Sequence, residues 1–344
     1  KENSPMRLAD LFKITIEGID QTAIVAERLI SLSMTDKKGL EADELSLTLS
    51  DDDARLPFPT KGNKIQLSLA MPDTGIMIDK GSFTIDEAEH SGTPDQIQIR
   101  AKSADMKSSL KTKRAESYHG KKLGEIAQTI ATRHELKLVI DTASSQIMID
   151  HFDQNRESDI NLLDRLCKTH DLTCTIKQGS LLIKPNGNNK SASGKPLAKL
   201  TITRQDGDSH RYSRADRQSD YEETTASYHD PKAGKTKHVT ATKGKVNESD
   251  KLPNSKAHII TKPAKNKQDA VAKATSADKD KSRQVAKFDL TLAQGRPDIL
   301  ADSPVQVVGF RPYIDGHQWT VIEVSHDLSG SGYTSKIQCE ASLN

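Results

Sequence analysis

Between residues 11 and 103, apolar side chains recur at every second position in short runs: Phe12, Ile14 and Ile16; Ile30, Leu32 and Met34; Leu45, Leu47 and Leu49; Ile65, Leu67 and Leu69; Phe83 and Ile85; Ile97 and Ile99. A period of two places each set on one face of a strand. Turn-forming residues separate the runs, among them Lys37-Lys38-Gly39, Pro57-Phe58-Pro59, Lys61-Gly62-Asn63, Pro72-Asp73 and Gly92-Thr93-Pro94. Short one-faced strands with this punctuation predict an antiparallel sandwich or barrel over residues 1–110.

The period then changes. Over residues 122–135, Leu123, Ile126, Ile130 and His134 follow helical spacing, and Ser158-Asp159 opens a second helix carrying Ile160, Leu163, Leu166 and Cys167. Strands follow each helix, at 136–140, then 172–176 and 181–183. This predicts an α+β insert over 111–190, ended by the Asn/Gly/Ser/Lys stretch between Pro185 and Pro196. From Leu197 strand alternation returns and fills a third region, 191–344, with late strands at 305–308, 318–324 and 335–339. It is interrupted at about 232–287 by a lysine-rich excursion whose Ala/Lys/Asp/Gln stretch from Asn266 to Gln284 predicts a solvated surface helix.

The two β regions repeat one unit. Phe83-Thr84-Ile85-Asp86-Glu87-Ala88-Glu89-His90 aligns with Trp319-Thr320-Val321-Ile322-Glu323-Val324-Ser325-His326, with Thr, Glu and His coincident. A Gly-containing turn follows in both, and Ile97-Gln98-Ile99-Arg100-Ala101 then aligns with Ile337-Gln338-Cys339-Glu340-Ala341. Upstream, Lys64-Ile65-Gln66-Leu67 resembles Pro304-Val305-Gln306-Val307, and the strand ending at Asp51 resembles the one ending at Asp230. Phe83, Glu87 and His90, with Trp319, Glu323 and His326, are therefore candidate structural repeat positions. Three such chains in a ring present six similar modules, so a threefold body offers sixfold-like contacts.

Composition narrows the function classes. Fifty basic and 48 acidic side chains leave a formal charge of +2, so no whole-molecule field draws the chain to nucleic acid or an anionic membrane. Three cysteines without paired spacing, Cys167, Cys174 and Cys339, suit a reducing compartment. No signal-peptide core occupies the start, and no stretch approaches the roughly 20 apolar residues of a membrane helix. A cytoplasmically assembled protein without a membrane anchor is expected.

The chain also resembles the phage late control gene D family, hub proteins of contractile tails with relatives in the hub part of type VI secretion spikes. The resemblance rests on 81–86 (Gly-Ser-Phe-Thr-Ile-Asp) running to Ala101-Lys102-Ser103-Ala104-Asp105, on Gly120-Lys121-Lys122-Leu123-Gly124-Glu125-Ile126-Ala127, and on the passage from Phe152-Asp153-Gln154-Asn155-Arg156 through Ser158-Asp159 to Asp164-Arg165-Leu166. It covers nearly the whole chain. It implies a mainly β protein with two tube-like antiparallel β-barrel domains around an α+β insert, forming a homotrimeric hub without enzymatic activity. The implied partners are the central spike, the tail tube or its initiator, baseplate wedge proteins and the tape measure protein, within a particle assembled in the host bacterial cytoplasm.

No residue set argues for catalysis, a cofactor or a metal. Cys167, His170 and Cys174 have ligand-type side chains, but two of them fall on the apolar side of a helix and its exit, where cysteine acts as a small hydrophobe. Asp51-Asp52-Asp53, with Asp43-Glu44 nearby, lacks the alternating ligands of a calcium loop and reads as a strand-ending turn. No histidine falls in a nucleophile or metal motif. The segment from Tyr118 to Leu136 is similar to the start of LysM modules, some of which bind peptidoglycan. That gives a wall-binding alternative, although only Tyr118 and Phe152 are aromatic between 111 and 190. Ten lysines between positions 232 and 267 suggest a solvated face, because only Tyr228 flanks them and a stacking platform for single strands is missing.

Overall fold

A computed structural model describes residues 7–104, 108–187, 190–195, 197, 199–214, 223–251, 253–254, 256–283 and 286–342. Asp105, Pro196 and Gln284, which bound segments named above, lie outside the described residues, as does the start of the chain at 1–6. The first β region comprises β1 (Phe12–Ile16), β2 (Ile19–Asp20), α1 (Thr22–Arg28), β3 (Leu29–Lys37), β4 (Glu44–Ser50), β5 (Lys64–Ala70), β6 (Met77–Ser91) and β7 (Gln96–Ser103). The alternating residues of the sequence point inward, with Phe12, Ile14, Ile65, Leu67 and Leu69 fully buried in one cluster that also holds Leu32, Met34, Leu45, Leu47 and Phe83. Each such side chain stabilises the fold by roughly 1.5–3 kcal/mol. Residues from β1 and β5 thus share a core with residues from β3 and β4, so this run of sheet wraps around its interior. Ile30 is the exception: a bulge between Leu29 and Ser31 turns it outward, 43% exposed.

The insert comprises β8 (Lys113–Lys122), α2 (Leu123–Arg133), β9 (Lys137–Ile140), α3 (Thr142–Ser145), β10 (Met148–Ser158), α4 (Asp159–Thr169), β11 (Leu172–Lys177) and β12 (Ser180–Pro185). β8 and β10 form an antiparallel ribbon, while β11, β12 and β9 form a three-stranded sheet with β9 parallel to β12. It is built twice from strand, helix and strand. The shift that carries Leu123 onto Asp159 also carries Gly120 (φ 55°) onto Arg156 (φ 49°) and Glu135 (φ 53°) onto Asp171 (φ 57°). Left-handed residues enter and leave each helix at matching places.

The remaining strands are β13 (Leu200–Thr203), β14 (Gly207–Arg214), β15 (Glu223–Asp230), β16 (Lys235–Thr242), β17 (Lys245–Ser249), β18 (Ala257–Ile259), β19 (Ala286–Leu292), β20 (Pro304–Val308), β21 (Gln318–Ser329) and β22 (Gly332–Ser342), with α5 (Lys267–Arg283) and α6 (Pro312–Asp315). The lysine-rich excursion is more than a helix. β17, β16, β15 and β18 make a separate four-stranded sheet, and α5 packs on it through buried Ala270 and Ala274 against Ala226, Tyr228, Val239 and Ala241. Small alanines let the helix approach closely, which a tally of large apolar residues does not register, so α5 is a packed helix and not a fully solvated one.

The two β regions are joined, not separate. A single sheet of 13 strands runs β14-β19-β22-β21-β3-β4-β7-β6-β5-β1-β2, with β20 pairing β21 and β13. The joint is β21 against β3, from Glu323↔Lys37 to Ser329↔Ser31. Leu328 and Tyr333 of the second region enter the core of the first.

Candidate assembly site

Three parts of the chain meet at an ionic junction beside this joint. β3 ends in Asp36 and Lys37 with Lys38 just after it, the β11–β12 hairpin brings Lys177 and Lys184, and the second region brings its loop at 296–302 and Glu340. Asp36 is almost wholly buried; it takes the ammonium of Lys177 and accepts a 3.1 Å hydrogen bond from the Ala301 amide. Lys177 also reaches Asp43 at 3.3 Å. Burial raises the Asp43 carboxyl above its ordinary range, opposed by Lys177. Lys177 is itself held above its ordinary value, since Asp36 and Asp43 together outweigh its burial. Lys38 lies 2.8 Å from Glu340, and Lys184 lies 2.7 Å from Asp302. Lys80 of β6 donates to the Pro297 carbonyl at 2.7 Å from a buried position, and that burial lowers its pKa to about 8. These groups fix the orientation of the parts, because a buried ion separated from its partner is costly. The sequence offered no signal for this junction, since its members come from distant segments.

A second buried network holds the insert. Asp159, the first residue of α4, is fully buried and accepts from Arg133 (2.9 Å), Gln154 (2.8 Å) and His134 Nε2 (2.7 Å), while His134 Nδ1 lies 2.9 Å from Ser109 Oγ. Burial pushes its carboxyl up, but these bonds outweigh it and hold the pKa below the ordinary value. Ser109, His134 and Asp159 stand in the order of a hydrolytic triad. Yet Asp159 is neutralised by Arg133, with Arg114 at 3.5 Å, and the serine meets Nδ1, so the carboxylate is committed to tying α2 to α4.

The candidate repeat positions lie in β6 and β21. Phe83 and Trp319 are buried, and a bulge follows Ile85 and Val321 alike, so that Glu87 and Glu323 resume the ladder. The environments of the histidines differ. His326 is fully buried and pairs with Ser335 at 2.8 Å, because β21 is covered by β3. The side chain of His90 is 46% exposed and lies 3.7 Å from Asp51, because that half of β6 has only β7 beside it.

Two alignments from the sequence need correction. β7 matches β22 with Ala101 opposite Ile85 and Cys339 opposite Val321, two residues away from the alignment of Ala101 with Ala341. A slide of two preserves inward and outward faces, so alternation alone cannot detect it. The strand ending at Asp230 is β15, which lies in the four-stranded sheet; the counterpart of β4 is β19, which flanks β22 as β4 flanks β7.

Other residues singled out in the sequence have structural surroundings. Cys167 and Cys174 lie in the core of the insert, and the Cys174 thiol is pushed well up by the Cys167 thiol beside it and by burial. Asp51 accepts from the Leu56 amide at 2.9 Å and Asp53 binds Arg28 in a fork at 2.7 and 2.6 Å, so both serve the turn. Tyr118 and Phe152 are only 3% and 8% exposed. No helix among the described residues is long and apolar enough to cross a membrane.

The comparisons agree with this architecture. The family model described as phage tail baseplate hub (GPD) matches residues 44–332. A probable baseplate hub protein of Escherichia phage 186 is 36% identical over 98% of this chain and 94% of its own length. Another, from Escherichia phage P2, is 34% identical over 97% of this chain and 93% of its own. The crystal structure of a 43 kDa tail protein of prophage MuSo2 from Shewanella oneidensis superposes with a TM-score of 0.67 at 13% identity, covering 96% of both chains, a likeness of fold. On its sequence relatives and its matching family model, this chain belongs to the phage tail baseplate hub (GPD) family.

Proposed function

We propose that three copies of this chain form a ring that joins a sixfold tail tube to a threefold central spike. The observation that carries this reading is the repeated strand order, β3-β4-β7-β6 in the first region and β14-β19-β22-β21 in the second. Two like modules per chain give six per trimer, a surface on which a sixfold tube can seat, while the insert and the β15–β18 excursion occur three times and suit a trimeric spike or the wedges. In domain terms, residues 1–110 and 191–344 are the tube-like modules and 111–190 the insert, even though one sheet threads both modules. The role is structural and requires no chemistry. The tube initiator and the tape measure protein are the further partners this position offers, and assembly takes place in the bacterial cytoplasm.

The wall-binding alternative is disfavoured by the burial of Tyr118 and Phe152, which removes from the insert the aromatic faces a glycan would stack on. Light scattering of the purified chain, alone and mixed with its spike protein, tests the ring. A mass near three subunits in either condition is expected; a monomer in both overturns it.

A further inference from the structure

Between the insert and the lysine-rich excursion lies a cleft of about 1220 Å³, open to solvent. β10 and α4 supply most of one wall, and the 260–265 loop with α5 supplies the other. Contacts between the walls fix its width: Lys265 donates to the His151 carbonyl at 3.2 Å and Asn266 to Asp150 at 2.9 Å, while Lys279 meets Asp171 at 3.1 Å. The volume exceeds the roughly 300–1,000 Å³ of a small-molecule site.

The charges on the walls do not balance. Glu157, Asp164 and Asp269 are each taken by a neighbouring cation, Arg165 at 2.6 Å, Lys168 at 2.7 Å and Lys273 at 2.8 Å. Asp153 is shared by His151 (2.8 Å) and Lys265 (3.6 Å), and Asp280 is engaged as well. Lys113, Arg156 and Lys262 line the same cleft, are exposed, and have no side-chain partner among the described residues. Arg156 is the extra residue of the β10 bulge between Asn155 and Glu157. Its φ of 49° is a left-handed conformation that glycine adopts without strain, as Gly120 does in the other half of the insert. An arginine there carries strain that no contact among the described residues explains.

We propose that this cleft is a docking site for an acidic segment of a partner protein, one that sets two or three carboxylates around an apolar side chain. The carboxylates pair with Lys113, Arg156 and Lys262, and the apolar side chain rests on Ile260 and Pro263. Charge complementarity selects a peptide over a nucleic acid. The cleft's own carboxylates stand among its cations and repel a continuous phosphate backbone. Arg165 at 4.1 Å and Lys265 at 5.8 Å from the Phe152 ring centroid already occupy the aromatic surface on which a base would stack. Every lining group belongs to one chain, so the site is complete without a ring.

The test uses the full chain and a fluorescein-labelled octapeptide of alternating Glu and Leu, read by anisotropy at low ionic strength. The triple variant Lys113→Gln, Arg156→Gln, Lys262→Gln is expected to weaken binding about tenfold or more, as is replacing each Glu of the peptide by Gln. A control with the same charge change outside the cleft, Lys243→Gln, Lys245→Gln, Lys251→Gln, is expected to leave affinity within about twofold. Arg156→Gly separates binding from folding: glycine relieves the left-handed backbone, so the melting temperature is expected to hold or rise while affinity falls. No binding, equal losses in the two triple variants, or an Arg156→Gly that loses stability and not affinity overturns the proposal. Tighter binding of a 20-nucleotide oligothymidylate, abolished by the cleft triple, also overturns it and assigns the site to single-stranded nucleic acid.

Discussion

Asp159 shows how one side chain can organise a fold. Its Arg133, His134 and Gln154 partners come from the last turn of α2, the residue that caps it and β10, so Asp159→Ala strands buried donors and is expected to cost about 3–5 kcal/mol in denaturant unfolding. The carboxyl is held below its ordinary pKa in the folded chain, so its contribution is complete above the unfolded value and is lost as pH falls through the folded one. Asp159→Asn is expected to flatten that acid limb of the stability profile. Lys80 behaves in the opposite sense. Its folded pKa of about 8 lies below the ordinary 10.5, so the unfolded chain binds more protons between these values and stability rises with pH across that window. Lys80→Met is expected to remove the rise, of roughly 3 kcal/mol, in melts at pH 7 and pH 10.5. The sequence marked Asp159 only as the start of a helix and did not mark Lys80, because the role of each is set by burial among groups from other segments.

At the level of elements, the sequence was readable wherever a periodic pattern met a cap. α4 begins where Ser158-Asp159 places it, with Ser158 Oγ accepting from the Asn161 amide at 3.3 Å. Ser158→Ala is expected to cost about 1 kcal/mol, checked by urea unfolding. Strand identity was legible for the same reason, since Leu45, Leu47 and Leu49 can face one core only in an extended chain. Register was not, because a shift of two residues leaves that pattern intact. The β15–β18 sheet was also missed, because Thr224, Thr225 and Ala226 are buried without being large or greasy. The duplication within the insert lay in plain view in Arg133-His134-Glu135-Leu136 and Thr169-His170-Asp171-Leu172, but two short helices share such spacing by construction.

For the whole molecule, the junction around Asp36 determines how rigidly the insert sits on the sheet. Lys177→Met leaves the buried Asp36 and Asp43 without their common cation, and amide exchange is expected to quicken in β11, β12 and the 296–302 loop while the core of β4 and β7 stays protected. Equal protection in variant and wild type would mean that apolar packing holds the insert. That the two β regions share a single sheet was not legible from the sequence, since the pairing of β21 with β3 carries no local signature.

The joint between β3 and β21 also sets an order of events in synthesis. Ser33 and Asp327, hydrogen-bonded at 2.6 Å, are separated by 294 residues. The first module therefore leaves the ribosome, and can build most of its core, long before the strand that covers β3 exists. During that interval β3 is an unpaired edge of the kind that invites contact with other chains. The short, polar residues it offers there, Ser31, Ser33 and Thr35, make it a poor template for aggregation. Translation of β21 then seals the edge from within, so a ribosome that stalls before that point releases a chain with one module and no means of presenting the second.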